Sequence, residues 1–295
     1  MNSERQGELI IFSGALLWSL FPVLTIISLK NIPALISLGW CTLFATIFFA
    51  VILSIKKKWP EVINKEARKD ILLTTLILGI FYYLFYFYGL KYTSAGNAAL
   101  IATTEIFFSW LFFQIWRKDN FPGTHLIGAF LMLIGAIIVL YPNTYKFQIG
   151  DILILSASLI APLGNFFQKR ARQKISSESI LFVRCFISTI AIFILAYATH
   201  ADFSSLNFKS LAFLLLIING VFMFGLLKIL WVEGIHRLSV TKAISLSSIS
   251  PLLTLFFAWL FLQDIPTKFQ LLSIIPILLG IFLLSKNGQK KVATI

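Results

Sequence analysis

The sequence predicts an all-α integral membrane protein: ten transmembrane helices, arranged as two inverted five-helix repeats with both termini in the cytoplasm. Three observations carry that expectation. Of the 295 residues, 58% are hydrophobic and 13% charged, against roughly 25% charged in soluble domains. Apolar segments of about 20 residues, the length a helix needs to cross the hydrocarbon, recur along almost the whole chain. The chain also resembles itself at a shift near 145 residues.

The spans fall at 8–29, 33–55, 71–90, 94–116, 123–141, 149–168, 178–199, 210–233, 238–262 and 268–285. The first follows a single arginine and shows no small-residue cleavage site, so it reads as a true first helix rather than a signal peptide. Lys and Arg outside the spans concentrate in the N-terminus, in the loops after the second, fourth, sixth and eighth spans, and in the C-terminus. The other loops carry one each: Lys30, Lys91, Lys146, Lys209 and Lys268. By the positive-inside rule the first set faces the cytoplasm. The net charge of +13 therefore orients the chain and gives no reason to expect nucleic acid. Cys41 and Cys185 fall inside spans and read as small packing residues.

A shift of 145 residues superposes Gly89 on Gly234, Ser94 on Ser239, Ala98 on Ala243, Phe112 on Phe257, Asp119 on Asp264 and Gly135 on Gly280. Nearer the start of each half, "GELIIFS" matches "GDILILS" and Cys41 matches Cys185. The halves divide as 1–145 and 146–295. Five helices per half is an odd number, so the second copy enters the membrane from the opposite side. Inverted repeats around a midplane site are a signature of secondary transporters that work by alternating access.

Four stretches carry a resemblance: "GALLWSLFPV" in the first span, "YFYGLKYTSAGNAALI" joining the third and fourth, "VRCF" in the seventh, and "LSVTKAISLSSISPLLTLFFAWLFLQD" in the ninth. Together they resemble the EamA-type family of the drug/metabolite transporter superfamily over nearly the whole chain. The resemblance implies a polytopic carrier of small metabolites, often an amino-acid exporter, with a central cavity lined by both halves. In that family the fourth helix commonly carries a Leu-Glu-Pro run. Here Glu105 takes the glutamate register and Ile106 replaces the proline, whereas the ninth span has Ser250 in the glutamate register and keeps Pro251. The family's arginine in the seventh helix is Arg184, its place in the second helix holds Trp40, and the late carboxylates are Asp119 and Asp264. The family also places a Trp at Trp18.

Glu105 sits mid-span in "LIATTEIFFSW". A charge at the centre of a membrane helix costs roughly 2.5–3.5 kcal/mol on insertion scales, so Glu105 must face a wet cavity, pair with a cation or stay protonated. It is the candidate for proton coupling or for meeting a substrate amine; the alternative is a purely structural hydrogen bond. Arg184, six residues into its span, either snorkels or tethers helices, or meets an anionic substrate group. Lys228 and Glu233 lie toward the cytoplasmic end of the eighth span, Lys228 the deeper. "FYYLFYFY" spreads its aromatics round the helix, with Tyr82 and Tyr86 sharing one face and Tyr83 and Phe87 another. Trp18, Tyr82 and Tyr86 are the aromatic candidates, ahead of Trp110 and Trp231. Ser109, Asn165, Ser248 and Pro251 complete the candidate site, with Gln168 adding hydrogen-bonding capacity and Pro22, Pro162 and Pro276 freeing further backbone carbonyls.

No P-loop is present, His125, His200 and His236 show no metal spacing, and no catalytic constellation stands out. The expected activity is thus not ATP-driven and needs no cofactor or metal, and the resemblance implies that it moves an amino acid or amine outward. The expected partners are a small-molecule substrate, protons and the bilayer of a bacterial cytoplasmic membrane; the oligomeric state is left open. A membrane enzyme acting on a lipid-like substrate, or a channel, is the alternative.

Overall fold

Long runs of Leu, Ile and Phe leave the backbone no polar partner in lipid except itself, and the chain answers with helices. The computed structural model describes residues 3–116, 123–141, 148–238, 243 and 246–285, and no strand occurs among them. The helices are α1 (Ser3–Leu29), α2 (Ala34–Lys56), α3 (Arg68–Lys91), α4 (95–116), α5 (Gly123–Leu140), α6 (Ile149–Arg172), α7 (Ser177–Ala198), α8 (211–237), α9 (Ser250–Leu262) and α10 (Lys268–Ser285). Among the described residues, the first eight are long and apolar enough to cross a membrane, and α9 and α10 are shorter apolar helices.

Three of these helices are irregular. Both α3 and α8 contain a π-helical stretch, Thr75–Phe81 and Asn219–Leu226. These stretches nearly superpose at the 145-residue shift, and π turns of this kind are frequent at functional sites. The fourth span, expected as one helix, breaks at Thr103 into Ala95–Ala102 and Thr104–Trp116. There the Thr103 and Thr104 hydroxyls donate back to the carbonyls of Leu100 and Ile101, each at 2.6 Å, and the Ile106 amide bonds Thr103 O instead of continuing the ladder. The ninth span, expected to run from 238, has a turn at Ser248 and Ile249, and α9 starts with Pro251 in its first turn, where no amide donor is needed. Thr103 and Ser248 are equivalent at the same shift.

Packing repeats this relation. α2 packs on α7 and α5 on α10. α1 packs on the last part of α8 and on α9, as α6 packs on the last part of α3 and on α4. The π stretch of α8 lies on α2, and that of α3 on α7. Each half therefore completes the other, and two self-paired contacts, α2 with α7 and α5 with α10, lie where the halves meet. The second of these needs glycine: a Cβ on Gly280 would stand 2.7 Å from Gly128 O, and one on Gly128 would stand 2.9 Å from Gly280 O.

Polar ties close both ends of the bundle. At the α2–α3 end, Glu178 pairs with Lys56 and, at 3.5 Å, with Lys58, while buried Asp70 pairs with Lys174 at 3.1 Å and Arg170 at 3.4 Å. Glu61, in the short turn Trp59–Val62, caps α7 from outside it, accepting from the Ser176 amide at 2.7 Å and the Ser179 hydroxyl at 2.8 Å. Desolvation opposes the Glu61 charge, but the hydrogen bonds from Ser176 and Ser179 and the nearby Lys58 prevail and hold its pKa below the ordinary value. At the opposite end, buried Asp151 on α6 accepts from the Thr93 hydroxyl and from Asn97 at 3.3 Å, and Gln270 of α10 donates to Asn97 Oδ1 at 2.7 Å.

Candidate functional site

Between these ends lies a cavity of about 560 Å³, lined by α1, α3 and α4 of the first half and α6 to α9 of the second, with Ile281 of α10. It reaches Trp18, Tyr82, Tyr83, Glu105, Ser109, Asn165, Arg184, Lys228, Ser248 and Pro251. Nine of the ten residues singled out in the sequence thus meet in one space.

The break at Thr103 places Glu105 in the first turn after the interruption, half-buried against the cavity. Its carboxylate is held by an amide: Asn165 Nδ2 donates to Oε1 at 2.8 Å, joining α4 to α6 across the repeat. Lys228 interacts with Glu105 electrostatically, but among the described residues neither forms an ion pair within 4 Å. Lys228 instead places its ammonium 5.1 Å from the centroid of the Trp18 ring, within cation–π range.

Arg184 does not snorkel. It is 4% exposed and points into the bundle, where Nη1 donates to Gln168 Oε1 at 2.7 Å. Its inward course depends on Gly79 in the π stretch of α3, since a Cβ there would fall against the Ser188 hydroxyl and 3.0 Å from Arg184 Cγ. Tyr82 and Tyr83 form the aromatic wall, their rings 5.1 Å apart at right angles.

Tyr86 is the exception among the ten. It is 1% exposed and does not line the cavity. One turn beyond Tyr82, it stacks on that ring at 5.8 Å and on Phe21 at 5.4 Å, so it supports the wall from behind, its hydroxyl without a hydrogen-bond partner among the described residues. Tyr83, assigned by sequence to the other face, takes its place. Trp231 lines the cavity and Trp110 does not. The Thr103 break and the Gln168–Arg184 bond were not foreseen; the consecutive threonines before Glu105 were the available signal for the break. Asp119 lies outside the described residues, as does the side chain of Glu233. Asp264 lies in the α9–α10 connection away from the cavity, its pKa raised by burial. Cys41 and Cys185 are buried free thiols.

On the α9 side, Ser250 donates to Ala15 O at 3.2 Å and Thr254 to Ser19 O at 3.0 Å, stapling α9 to α1. The register that holds Glu105 in the first half therefore holds a structural hydroxyl in the second.

A bundle of membrane-length helices enclosing a mostly apolar cavity set with a few charged and polar groups, and built from two like halves, defines a membrane transporter. The chain belongs to the EamA-like transporter family, whose model matches residues 5–141 and 148–286, one copy per half. It is similar to the uncharacterized transporter YoaV of Bacillus subtilis, 24% identical over 92% of this chain and 94% of that relative. It is also similar to the uncharacterized inner membrane transporter YhbE of Escherichia coli, 24% identical over 85% of this chain and 80% of that one. A solved crystal structure, 18% identical, shares the fold with a TM-score of 0.68 over 95% of this chain and 96% of its own.

Proposed function

We propose that the protein is a secondary carrier that exports a small amino-acid-like or amine metabolite across a bacterial inner membrane by alternating access. In this reading the chain crosses ten times as two inverted repeats, 1–145 and 146–295, with both termini cytoplasmic. The observation that carries the proposal is the cavity itself, where Glu105 of the first half and Asn165 of the second are hydrogen-bonded at 2.8 Å among side chains of both repeats. Rocking one half against the other changes the surroundings of a carboxylate placed on that seam. Glu105 serves as the proton carrier or the partner of a substrate amine, and Trp18, Tyr82 and Tyr83 pack on the apolar part of the substrate.

Loading from the cytoplasm is supported by where the cavity extends. Ile11, Gln168, Trp231 and Ser247 line it, and all lie toward helix ends that the Lys and Arg pattern assigns to the cytoplasm. The opposite end is tied by Asp151, Thr93, Asn97 and Gln270. YhbE, named an inner membrane transporter, supports the location.

The test is Glu105→Gln in proteoliposomes. If Glu105 couples protons, substrate exchange survives while accumulation driven by a pH gradient disappears. Undiminished pH-driven accumulation by the variant would remove Glu105 from the coupling step.

A further inference from the structure

Three charged side chains line the cavity among the described residues, and they do not balance. Arg184 and Lys228 bring two positive groups, while Glu105 brings at most one negative. The surplus is positive whether Glu105 is ionised or protonated.

Among the described residues, Glu105 is the one carboxylate in the cavity wall. Arg184 has five donors; its partners among the described residues are the amide oxygen of Gln168 and the side chain of Cys185, and neither is a carboxylate. Lys228 rests on the face of Trp18 and interacts electrostatically with Glu105, with no ion pair within 4 Å among the described residues. Elsewhere in the molecule basic side chains reach carboxylates: Lys56 and Lys58 find Glu178, and Arg170 and Lys174 find Asp70. Two cations on the membrane-buried wall of a cavity, sharing one carboxylate among the described residues, leave a place for an anion from outside.

Two poles stand one turn apart on α6. Asn165 holds Glu105, with Tyr82 interacting with Glu105. Gln168 holds Arg184, and Tyr83 and Lys228 each interact with both Arg184 and Glu105. One ammonium suits the first pole; anionic oxygens suit the second. A fork of guanidinium N–H groups beside a separate ammonium has room for more than one of them.

We infer that the cavity selects an amino acid carrying a second anionic group, with a net charge of −1, whose ammonium meets Glu105 and whose anionic groups meet Arg184 and Lys228. This rests on the carrier reading above and narrows its substrate from amino acids or amines in general to acidic amino acids. Lys228 is the residue that sets the preference, because a zwitterion already satisfies Glu105 and Arg184.

The experiment is counterflow in proteoliposomes with two near-isosteric pairs, L-glutamate against L-glutamine and L-aspartate against L-asparagine, and with simple amines as a third group. The wild type should give a half-saturation constant about tenfold or more lower for an acid than for its amide, the scale of one charge-assisted hydrogen bond. Lys228→Met should bring the acid-to-amide ratio toward one, and Lys228→Arg should restore it; the ratio is internal to each preparation, so lower yield of a variant does not mimic the effect. Equal or better exchange of the amides or the amines by the wild type overturns the acidic preference and leaves the carrier reading intact. An absence of exchange for all three groups overturns that reading together with the inference.

Discussion

Gly79 and Asn165 show how the site depends on single atoms. Alanine at position 79 favours the helix by about 0.8–1 kcal/mol over glycine, but its Cβ would meet the Ser188 hydroxyl and stand 3.0 Å from Arg184 Cγ. Overpacking of this kind costs about 1–3 kcal/mol, so the steric term wins and the stem of Arg184 is displaced. Gly79→Ala should therefore weaken substrate half-saturation several-fold and lower the melting temperature in detergent; unchanged values of both would mean that α3 and α7 separate freely at this point. Asn165→Ala leaves the Glu105 carboxylate without its donor, a loss of about 0.5–1.5 kcal/mol for a typical hydrogen bond, and should shift the pH profile of exchange, while Asn165→Asp sets a second carboxylate beside the first and should depress exchange further. At this scale the sequence exposes the odd residues, since Glu105, Arg184 and Lys228 stand out in apolar runs. It does not expose their partners. Which nitrogen meets Glu105 depends on how α4 and α6 are rotated about their axes. Tyr86 reads as a cavity residue because it shares a face with Tyr82, yet depth decides otherwise, and one turn further along Phe21 covers it.

Helix existence is easier to read than helix continuity. Hydropathy alone places the spans within a few residues over most of their length; α5, for instance, is expected at 123–141 and found at Gly123–Leu140. The π stretches and the breaks at Thr103 and Ser248 are invisible to it, because an extra residue in a turn or one misdirected amide hardly changes local hydropathy. Their recurrence at equivalent places in both halves argues that they belong to the repeat and are not local accidents. The α5–α10 contact is a further case: Gly135 and Gly280 share a register of the repeat, but the close approach itself joins Gly128 to Gly280, which that register does not signal. Here the backbones approach so closely that a side chain has nowhere to go: Gly280→Val should cost about 1–3 kcal/mol through overpacking, visible as a lower melting temperature. Because neither helix supplies a charged group to the cavity, the ratio of acid to amide half-saturation should stay at its wild-type value in whatever fraction remains folded. A changed ratio would tie this contact to substrate selection.

For the molecule as a whole, the two halves are alike in fold and unlike in charge. The first contributes Glu105 to the cavity, and the second contributes Asn165, Arg184 and Lys228. The likeness of the halves is thus kept in the backbone, while the charged groups of the cavity are divided between the copies. The charged ends bear on the proposed orientation. The cluster that joins Lys56, Lys58 and Glu178, and Asp70 with Arg170 and Lys174, occupies the basic loops after α2 and α6, where the positive-inside rule puts the cytoplasm. Lys65 is exposed in the first of these loops, and Lys209 is exposed in the connection before α8. Both native cysteines are buried, so single introduced cysteines report cleanly. In intact cells a membrane-impermeant maleimide should label Lys209→Cys and leave Lys65→Cys untouched until the membrane is permeabilised. Labelling of Lys65→Cys from outside would reverse the orientation and, with it, the cytoplasmic mouth of the cavity: the same Arg184 and Lys228 would then receive their anion from the exterior, and uptake would replace export as the direction the architecture supports.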